Sequence, residues 1–278
     1  MYAAVNAWTL SDARSAEEQL VAAATAGFAG IELVVGREGP LRPDTPPADF
    51  RSLAPRAAEL RLSLVGLATG LFWEFNYASP QEADRRRAYD LTLRLLDQAA
   101  AAQAGSVLVV PAVVGKADEA SAGVSYADAL LRTLDALLTL RHEAEQRGVV
   151  LAIENVWNRF LLSPLEAADL IDRVNSASVG WCLDTGNVLA HGYPEDWIAT
   201  LGARIVRVHA KDYDLARPGP AGFCPLGEGS VNWPAVVQAL AAGGYDGPLT
   251  YEGGGDPAEA CRRLTAILAG HPALTHDL

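Results

Sequence analysis

The chain has 278 residues, half of them hydrophobic, and its 22 basic against 34 acidic side chains give a net charge of −12. This length and apolar content suffice for one large buried core. The acidic balance argues against nucleic acid as a partner, because neutralising phosphates requires clustered Lys and Arg. We see no signal peptide and no uncharged span of about 18 residues, so we expect no membrane association.

Apolar, β-branched runs recur along the chain and predict eight strands. They cover residues 3–8, 30–35, 63–68, 106–112, 149–155, 179–184, 205–209 and 249–252. Segments with helical spacing lie between them, and several begin at a capping residue or Pro and end at Gly, as at 15–27 and 256–270. No linker interrupts the alternation, which predicts a single-domain (β/α)8 TIM barrel over residues 1–278. A doubly wound open sheet is the alternative, and a strand count of eight disfavours it.

The last four predicted strands each end in a residue type that binds metals. Functional groups of such barrels lie at the carboxyl ends of the strands. Because strand side chains alternate, Glu154 shares the inward face with the small Ala152. The same alternation places Asp184, His209 and Glu252 inward at the ends of the next three strands. Three carboxylates beside an imidazole would repel one another unless a cation lay between them.

An oxygen-rich site with one nitrogen suits one divalent ion. We predict Mn²⁺, with Mg²⁺, Co²⁺ or Zn²⁺ as alternatives. A turn or helix-cap role is the alternative for Asp184, and a buried structural histidine is the alternative for His209. Arg207 lies in phase with His209 and Ile205, so it too should point into the barrel. Its carboxylate partner cannot be named from the sequence.

Four segments carry a resemblance to a known family: LAIEN, CLDTGN, VHAKD and LGEGSVNWPAVVQALAAGGYDGPLTYE. Together they resemble the xylose isomerase-like barrel superfamily, and within it the sugar phosphate isomerase/epimerase branch that includes D-tagatose 3-epimerase-type enzymes. The likeness covers essentially the whole chain. It implies that Glu154, Asp184, His209 and Glu252 hold one divalent metal. It also implies that Glu154 and Glu252 form the catalytic acid/base pair that moves the proton.

The chain departs from the pattern of these epimerases at three places. Asn187 stands where the pattern has a His, and Leu161 and Leu162 follow Asn-Arg-Phe where the pattern has a Glu. Arg217 corresponds only loosely to the arginine that anchors the ketose. The departures leave metal binding intact but leave the substrate and the reaction open.

The chemistry of such a site has several outcomes. A metal bound by a carbonyl and its neighbouring hydroxyl stabilises an enediolate, and carboxylates beside it can remove and return a proton. Return to the same carbon gives epimerisation, and return to the adjacent carbon gives isomerisation. We therefore predict a metal-dependent sugar or polyol isomerase or epimerase. A dehydratase or a carbon-glycoside lyase of the same barrel is the alternative.

Other residues near the predicted barrel mouth are candidates for substrate binding. They are Asn6 and Trp8 at the end of the first strand, Glu32 on the second, Trp73, Trp157, Asn187, Lys211 and Arg217. Glu32 has an alternative role as the partner of Arg207. The aromatic loop 70–77 fits a lid over a sugar or a subunit interface, so a homo-oligomer stays open.

Two further expectations concern the substrate and the compartment. The Gly-rich segment before Asp256 could bind phosphate, but Asp256 as a helix cap would occupy those amides. We therefore predict an unphosphorylated small molecule. The three cysteines, Cys182, Cys224 and Cys261, lack metal-finger spacing and fit a reducing cytoplasm.

Overall fold

Eight parallel strands close into a barrel in the described part of the chain. The computed structural model describes residues 1–10, 13, 15–116 and 123–270. Its strands are β1 (Tyr2–Asn6), β2 (Gly30–Val34), β3 (Ser63–Ala68), β4 (Ser106–Val109), β5 (Val150–Glu154), β6 (Val179–Asp184), β7 (Ile205–Ala210), β8 (Asp212–Tyr213), β9 (Phe223–Cys224) and β10 (Pro248–Tyr251). The barrel order is β1–β10–β7–β6–β5–β4–β3–β2, while β8 and β9 form a separate antiparallel pair. The predicted single-domain (β/α)8 barrel is confirmed.

Helices follow the strands and cover the outside of the barrel. They are α1 (Ala16–Ala26), α2 (Pro47–Arg51), α3 (Leu53–Glu59), α4 (Glu82–Ala102), α5 (Tyr126–Arg147), α6 (Pro164–Val174), α7 (Thr185–Val188), α8 (Pro194–Leu201), α9 (Trp233–Ala242) and α10 (Pro257–Leu268). Short 3₁₀ turns occupy Ala7–Leu10, Leu71–Trp73, Gly202–Arg204 and Pro220–Gly222. Over the described residues, no helix combines the length and the apolar character that crossing a membrane requires.

Predicted caps set the helix boundaries. The Ser15 side chain accepts a hydrogen bond from Glu18 N–H at the start of α1, and Gly27 ends that helix with φ of 95°. Asp256 caps α10 by accepting from Ala258 N–H at 3.0 Å, as predicted. This last helix ends at Leu268, slightly before the predicted end at residue 270.

Two predicted strands end two or more residues earlier in the structure, for local reasons. β1 ends at Asn6, and the prediction that Trp8 ends this strand is wrong, since Trp8 lies in the following 3₁₀ turn. The Asn6 Oδ1 atom accepts from Trp8 N–H at 2.9 Å, which turns the chain away from the strand. β4 ends at Val109, and Pro111, which has no N–H to donate, lies just beyond it.

The core has an inner and an outer layer, as the alternation of small and large side chains predicts. Ala68, Leu108, Ala152 and Cys182 form a buried cluster inside the barrel. Large side chains on the opposite strand faces, Ile153 among them, pack in the cluster shared with the helices. Three of these four inner side chains are small, which leaves room for the polar groups at the barrel mouth.

A register shift changes the inward face of β7. Trp181 pairs with Ile205, and Cys182 pairs with Arg207, so Val206 is skipped. Ile205 consequently packs in the outer core and Val206 against the inner cluster. The expectation that Ile205 faces inward is wrong, because a bulge of this kind resets the alternation.

Candidate active site

Glu154, Asp184, His209 and Glu252 meet at the carboxyl ends of neighbouring strands. Asp184 pairs with His209 across β6 and β7, and Glu252 follows β10, with its N–H donating to Ala210 O. One possible ligand atom from each of the four lies within 4.8 Å of the others. The described structure thus brings together the four residues that the sequence suggested as metal ligands.

The His209 ring is fixed between carboxylates on both sides. Its Nδ1 atom lies 3.1 Å from Glu154 Oε1 and 2.8 Å from Glu252 Oε2. Its Nε2 atom lies 2.8 Å from Glu32 Oε2 on the opposite side. One ring nitrogen therefore faces the cluster, and the other faces the barrel interior.

Lys211 adds a cation to the same cluster. Its Nζ atom lies 2.9 Å from Asp184 Oδ2 and 3.3 Å from Glu252 Oε2. Burial alone would lower the pKa of Lys211, but Asp184 and Glu252 outweigh it and raise the pKa above its usual range. Lys211 stays charged and offsets part of the carboxylate repulsion.

Two buried carboxylate oxygens in the cluster remain without a hydrogen bond of acceptable geometry among the described groups. They are Asp184 Oδ2 and Glu252 Oε2, although each lies within ion-pair distance of a nitrogen. Buried carboxylate oxygens are unfavourable when they lack partners. A divalent cation would satisfy both, and three carboxylates with one imidazole suit Mn²⁺, Mg²⁺, Co²⁺ or Zn²⁺. The residues present therefore fit a metal ion.

The environments of the two glutamates differ. Burial raises the pKa of Glu154 to about 7. Burial also acts to raise the pKa of Glu252, but Lys211 and then His209 outweigh it, so the pKa is lowered. Among the protein groups alone, Glu154 is the better proton carrier and Glu252 stays ionised. Carboxylates with pKa values pushed apart are typical of acid/base pairs.

A cavity of about 220 Å³ opens above the cluster. This volume lies below the roughly 300–1,000 Å³ of pockets for drug-sized ligands, so it suits a smaller molecule. Ionic groups form one side of the cavity, and aromatic and aliphatic groups form the rest. The lining residues are Trp8, Thr69, Gly70, Trp73, Leu108, Val110, Glu154, Val156, Trp157, Asn187, Lys211, Phe223 and Glu252.

The residues predicted to bind substrate fall into three positions. Five of them line the cavity: Trp8, Trp73, Trp157, Asn187 and Lys211. Asn6 and Glu32 are fully buried and hydrogen-bonded to each other at 2.6 Å, so both have supporting positions outside the cavity lining. Arg217 lies in an exposed loop, where its guanidinium pairs with Asp214 at 3.2 Å. Glu32 also pairs with Arg207, which is the alternative role that the sequence analysis gave it.

Asp184 makes the helix cap that the sequence analysis gave as its alternative role, and its second carboxylate oxygen remains available to the cluster. Its Oδ1 atom caps α7 by accepting from Asn187 N–H at 2.8 Å, while Oδ2 faces the cluster. Asn187 also donates from its side chain to Asn155 O and accepts from Trp157 Nε1–H through its backbone carbonyl. Asn187, at the position of the expected His, therefore holds Trp157 beside the turn after β6 through its backbone carbonyl.

Several lining residues were missed by the sequence analysis, and Phe223 is the largest of them. It lies on β9, and its ring centroid is 5.1 Å from that of Trp157 and 5.3 Å from that of Tyr213. The short segment around Phe223 gives no hydrophobic periodicity from which this position could be inferred. Phe223 and Trp157 together form an aromatic wall of the cavity.

Buried Asp212 holds the loop that carries Phe223. Its carboxylate accepts from Gly227 N–H at 2.7 Å, Val231 N–H at 3.2 Å and Trp233 Nε1–H at 2.9 Å. It also accepts from the N–H of its neighbour Tyr213. One side chain thus fastens the segment between β8 and α9 to the barrel.

Comparison with known proteins shows the family. The sequence model of the xylose isomerase-like TIM barrel matches residues 20–269, and the chain belongs to this family. Over 243 residues it is 30% identical to 2-epi-5-epi-valiolone 7-phosphate 2-epimerase of Actinoplanes sp., covering 84% of this chain and 83% of the relative. It is 33% identical to 3-oxo-isoapionate decarboxylase of Pectobacterium atrosepticum, but only over 35% of this chain and 37% of that relative.

Solved structures share the fold at lower identity. L-ribulose 3-epimerase superposes with a TM-score of 0.79 at 21% identity, covering 97% of this chain and 95% of that one. The IolI protein with a bound zinc atom superposes with a TM-score of 0.77 at 16% identity, covering 98% and 99%. The predicted family is confirmed, and the relatives named here include two epimerases.

Proposed function

We propose that this chain is a divalent-metal-dependent epimerase or isomerase of a small unphosphorylated sugar or polyol. The observation that carries the proposal is the convergence of Glu154, Asp184, His209 and Glu252, with ligand atoms within 4.8 Å of one another. Two of them, Glu154 and Glu252, also line the cavity of about 220 Å³. The same carboxylates can therefore touch both a metal and a substrate.

The four residues would hold one ion, which we propose to be Mn²⁺. When bound, it would polarise a substrate carbonyl and make the neighbouring C–H bond more acidic. Zn²⁺ is a specific alternative, since the related IolI structure contains zinc.

Glu154 and Glu252 would move the proton. They come from β5 and β10, which are separated in the barrel by β6 and β7, so they can reach one substrate carbon from different sides. One carboxylate takes the proton, and the C–H electron pair forms the double bond of an enediolate. The other carboxyl returns a proton to the opposite face, which inverts the carbon with no net oxidation.

Charge balance supports an unphosphorylated substrate. Three carboxylates in the cluster are offset by Lys211 and one divalent ion. A phosphate would add negative charge, and Lys211 is the one cation among the described residues that line the cavity. The Asp256 cap already occupies an amide of the helix that follows β10. The epimerase relative has a phosphate in its substrate name, so we expect the two proteins to differ here.

A second outcome has one observation in its favour. The partial relative is a decarboxylase, which implies that the family also supports loss of a substrate group. A dehydratase or a carbon-glycoside lyase would use the same carboxylates, with the electron pair expelling a leaving group. Products would differ in mass from the substrate, whereas epimers and isomers would not.

Proton exchange in deuterated water tests the proposal. The protein is stripped with a chelator, reloaded with Mn²⁺ and incubated with a panel of ketoses and cyclic polyol ketones, each free and phosphorylated. We expect a new isomer and deuterium beside the carbonyl of a free substrate, both dependent on Mn²⁺. Chelator-insensitive exchange would argue against the metal, and products lighter by water or a carbon fragment would favour the second outcome.

A further inference from the structure

The carboxylate of Glu32 makes contacts with three side chains beneath the candidate metal site. Glu32 is fully buried on β2. Its Oε2 atom accepts from Asn6 Nδ2–H at 2.6 Å and lies 2.8 Å from His209 Nε2. Its Oε1 atom pairs with Arg207. These contacts leave the carboxylate no path to a substrate, but they place it against a candidate metal ligand.

Arg207, the ion-pair partner of Glu32, is itself held by residues of several strands. Its guanidinium also donates to Val65 O and to the Ser106 hydroxyl. Gly66 makes room for it, because an added Cβ there would lie 2.1 Å from Arg207 Nη1. Side chains of β1, β2, β4 and β7, with the glycine of β3, thus form one polar layer, which we call the supporting layer.

We propose that Glu32 is a positioning residue for His209, which it holds by Nε2 so that Nδ1 is available to the metal. This inference rests on the metal site proposed above. A neutral imidazole has one donor nitrogen and one acceptor nitrogen. Donation of Nε2–H to Glu32 leaves the Nδ1 lone pair directed at the cluster that includes Glu154 and Glu252.

Replacing Glu32 by Gln removes the negative charge, and an amide N–H turned toward Nε2 would favour the other tautomer of the ring. A proton on Nδ1 could then hydrogen-bond to Glu154 or Glu252, which lie 3.1 and 2.8 Å away, and would compete with the metal. A carboxylate behind a ligand histidine also raises the basicity of the ring, and its loss typically weakens metal binding by about 10- to 100-fold. The competing role for Glu32 is purely structural, as the counter-ion of Arg207.

Mn²⁺ affinity separates the two roles. We compare wild type, Glu32→Gln and, as a matched control, Ser106→Ala, which removes another contact of Arg207 but leaves the Glu32–His209 pair. Free Mn²⁺ is measured by electron paramagnetic resonance, and chemical unfolding is measured in chelator. We expect binding to weaken by about 10- to 100-fold in Glu32→Gln and by less than about twofold in Ser106→Ala.

A tautomer measurement keeps the inference testable if Glu32→Gln does not fold. In wild type labelled with ¹⁵N-histidine and loaded with Zn²⁺, we expect His209 to carry its proton on Nε2. A proton on Nδ1, or Mn²⁺ affinity unchanged in Glu32→Gln while unfolding shifts, would overturn the inference alone. Failure of wild type to bind either metal would overturn the proposed function and this inference together.

Discussion

The two arcs of the barrel are used differently. β5, β6, β7 and β10 form one arc, which we call the ligand arc: Glu154 and Asp184 end β5 and β6, His209 is the penultimate residue of β7, and Glu252 follows β10. The strands of the other arc, β1 to β4, contribute much of the supporting layer together with apolar lining. Arg207 connects the arcs, since it starts on β7 and reaches Glu32 on β2. The groups proposed for chemistry therefore come from one arc, while the geometry of His209 depends on both.

Replacing either proposed proton carrier should have the largest effect. Glu154→Gln and Glu252→Gln each keep a ligand oxygen but lose the proton acceptor, so we expect kcat to fall by roughly 10²- to 10⁴-fold. Turnover is measured at saturating Mn²⁺, with bound metal determined by elemental analysis. Near wild-type turnover by both variants with metal bound would contradict the two-glutamate assignment.

Lys211→Met should weaken the use of substrate without weakening metal binding at the ligand arc. Loss of a charged donor should lower kcat/KM by about 10- to 100-fold. Mn²⁺ affinity should stay the same or increase, because a cation that competes for Asp184 and Glu252 is gone. Lys211→Arg retains the charge and serves as the control. Loss of Mn²⁺ binding in Lys211→Met would show instead that Lys211 stabilises the metal site.

Gly66→Ala tests how tightly Arg207 is packed against β3, in the arc formed by β1 to β4. The added Cβ would lie 2.1 Å from Arg207 Nη1 and 2.7 Å from Ser106 O, so we expect a loss of about 1–3 kcal/mol in the free energy of unfolding. Gly105→Ala is the control, since the nearest described atom, Val65 O, would be 3.7 Å away. Urea denaturation measures both, and equal stabilities would mean that Arg207 is not confined at Gly66.

Arg217→Ala should have the smallest effect. Its side chain is 70% exposed and pairs with Asp214 at the surface, so we expect kcat/KM to change by less than about twofold. Asp214→Ala provides the comparison. A large rise in KM for Arg217→Ala alone would restore the sequence-based prediction that Arg217 anchors the substrate.

The ligand arc could be predicted because its signals are local. Each strand there is a short apolar run, and the alternation of side chains assigns Glu154 and Ala152 to one face without any knowledge of partners. The order of the runs along the chain then brings the strand ends together in a barrel.

The alternation of side chains placed Arg207 inside the barrel and left Glu32 as one candidate partner, but the supporting layer as a whole could not be predicted, because its contacts are remote in sequence and depend on register. Glu32 and Arg207 are separated by 175 positions. The register shift at Val206 changes which side chains of β7 point inward, and no residue type in the sequence indicates where this shift occurs. The contribution of Phe223 has a similar origin, since its loop returns to the barrel through contacts with residues remote from it, those of Asp212 among them.

The Asp212 contacts reduce the conformational entropy that the loop carrying Phe223 would lose when a small molecule binds. The Asp212 carboxylate accepts hydrogen bonds from Gly227, Val231 and Trp233, and these bonds already restrict the conformations of the loop before a ligand binds. Ordering a residue's backbone takes about 1–2 kcal/mol, and a mobile loop would subtract this from the affinity for a small molecule. The aromatic wall at Phe223 is instead preorganised during folding. A ligand with few atoms can therefore bind without closing a lid from this side.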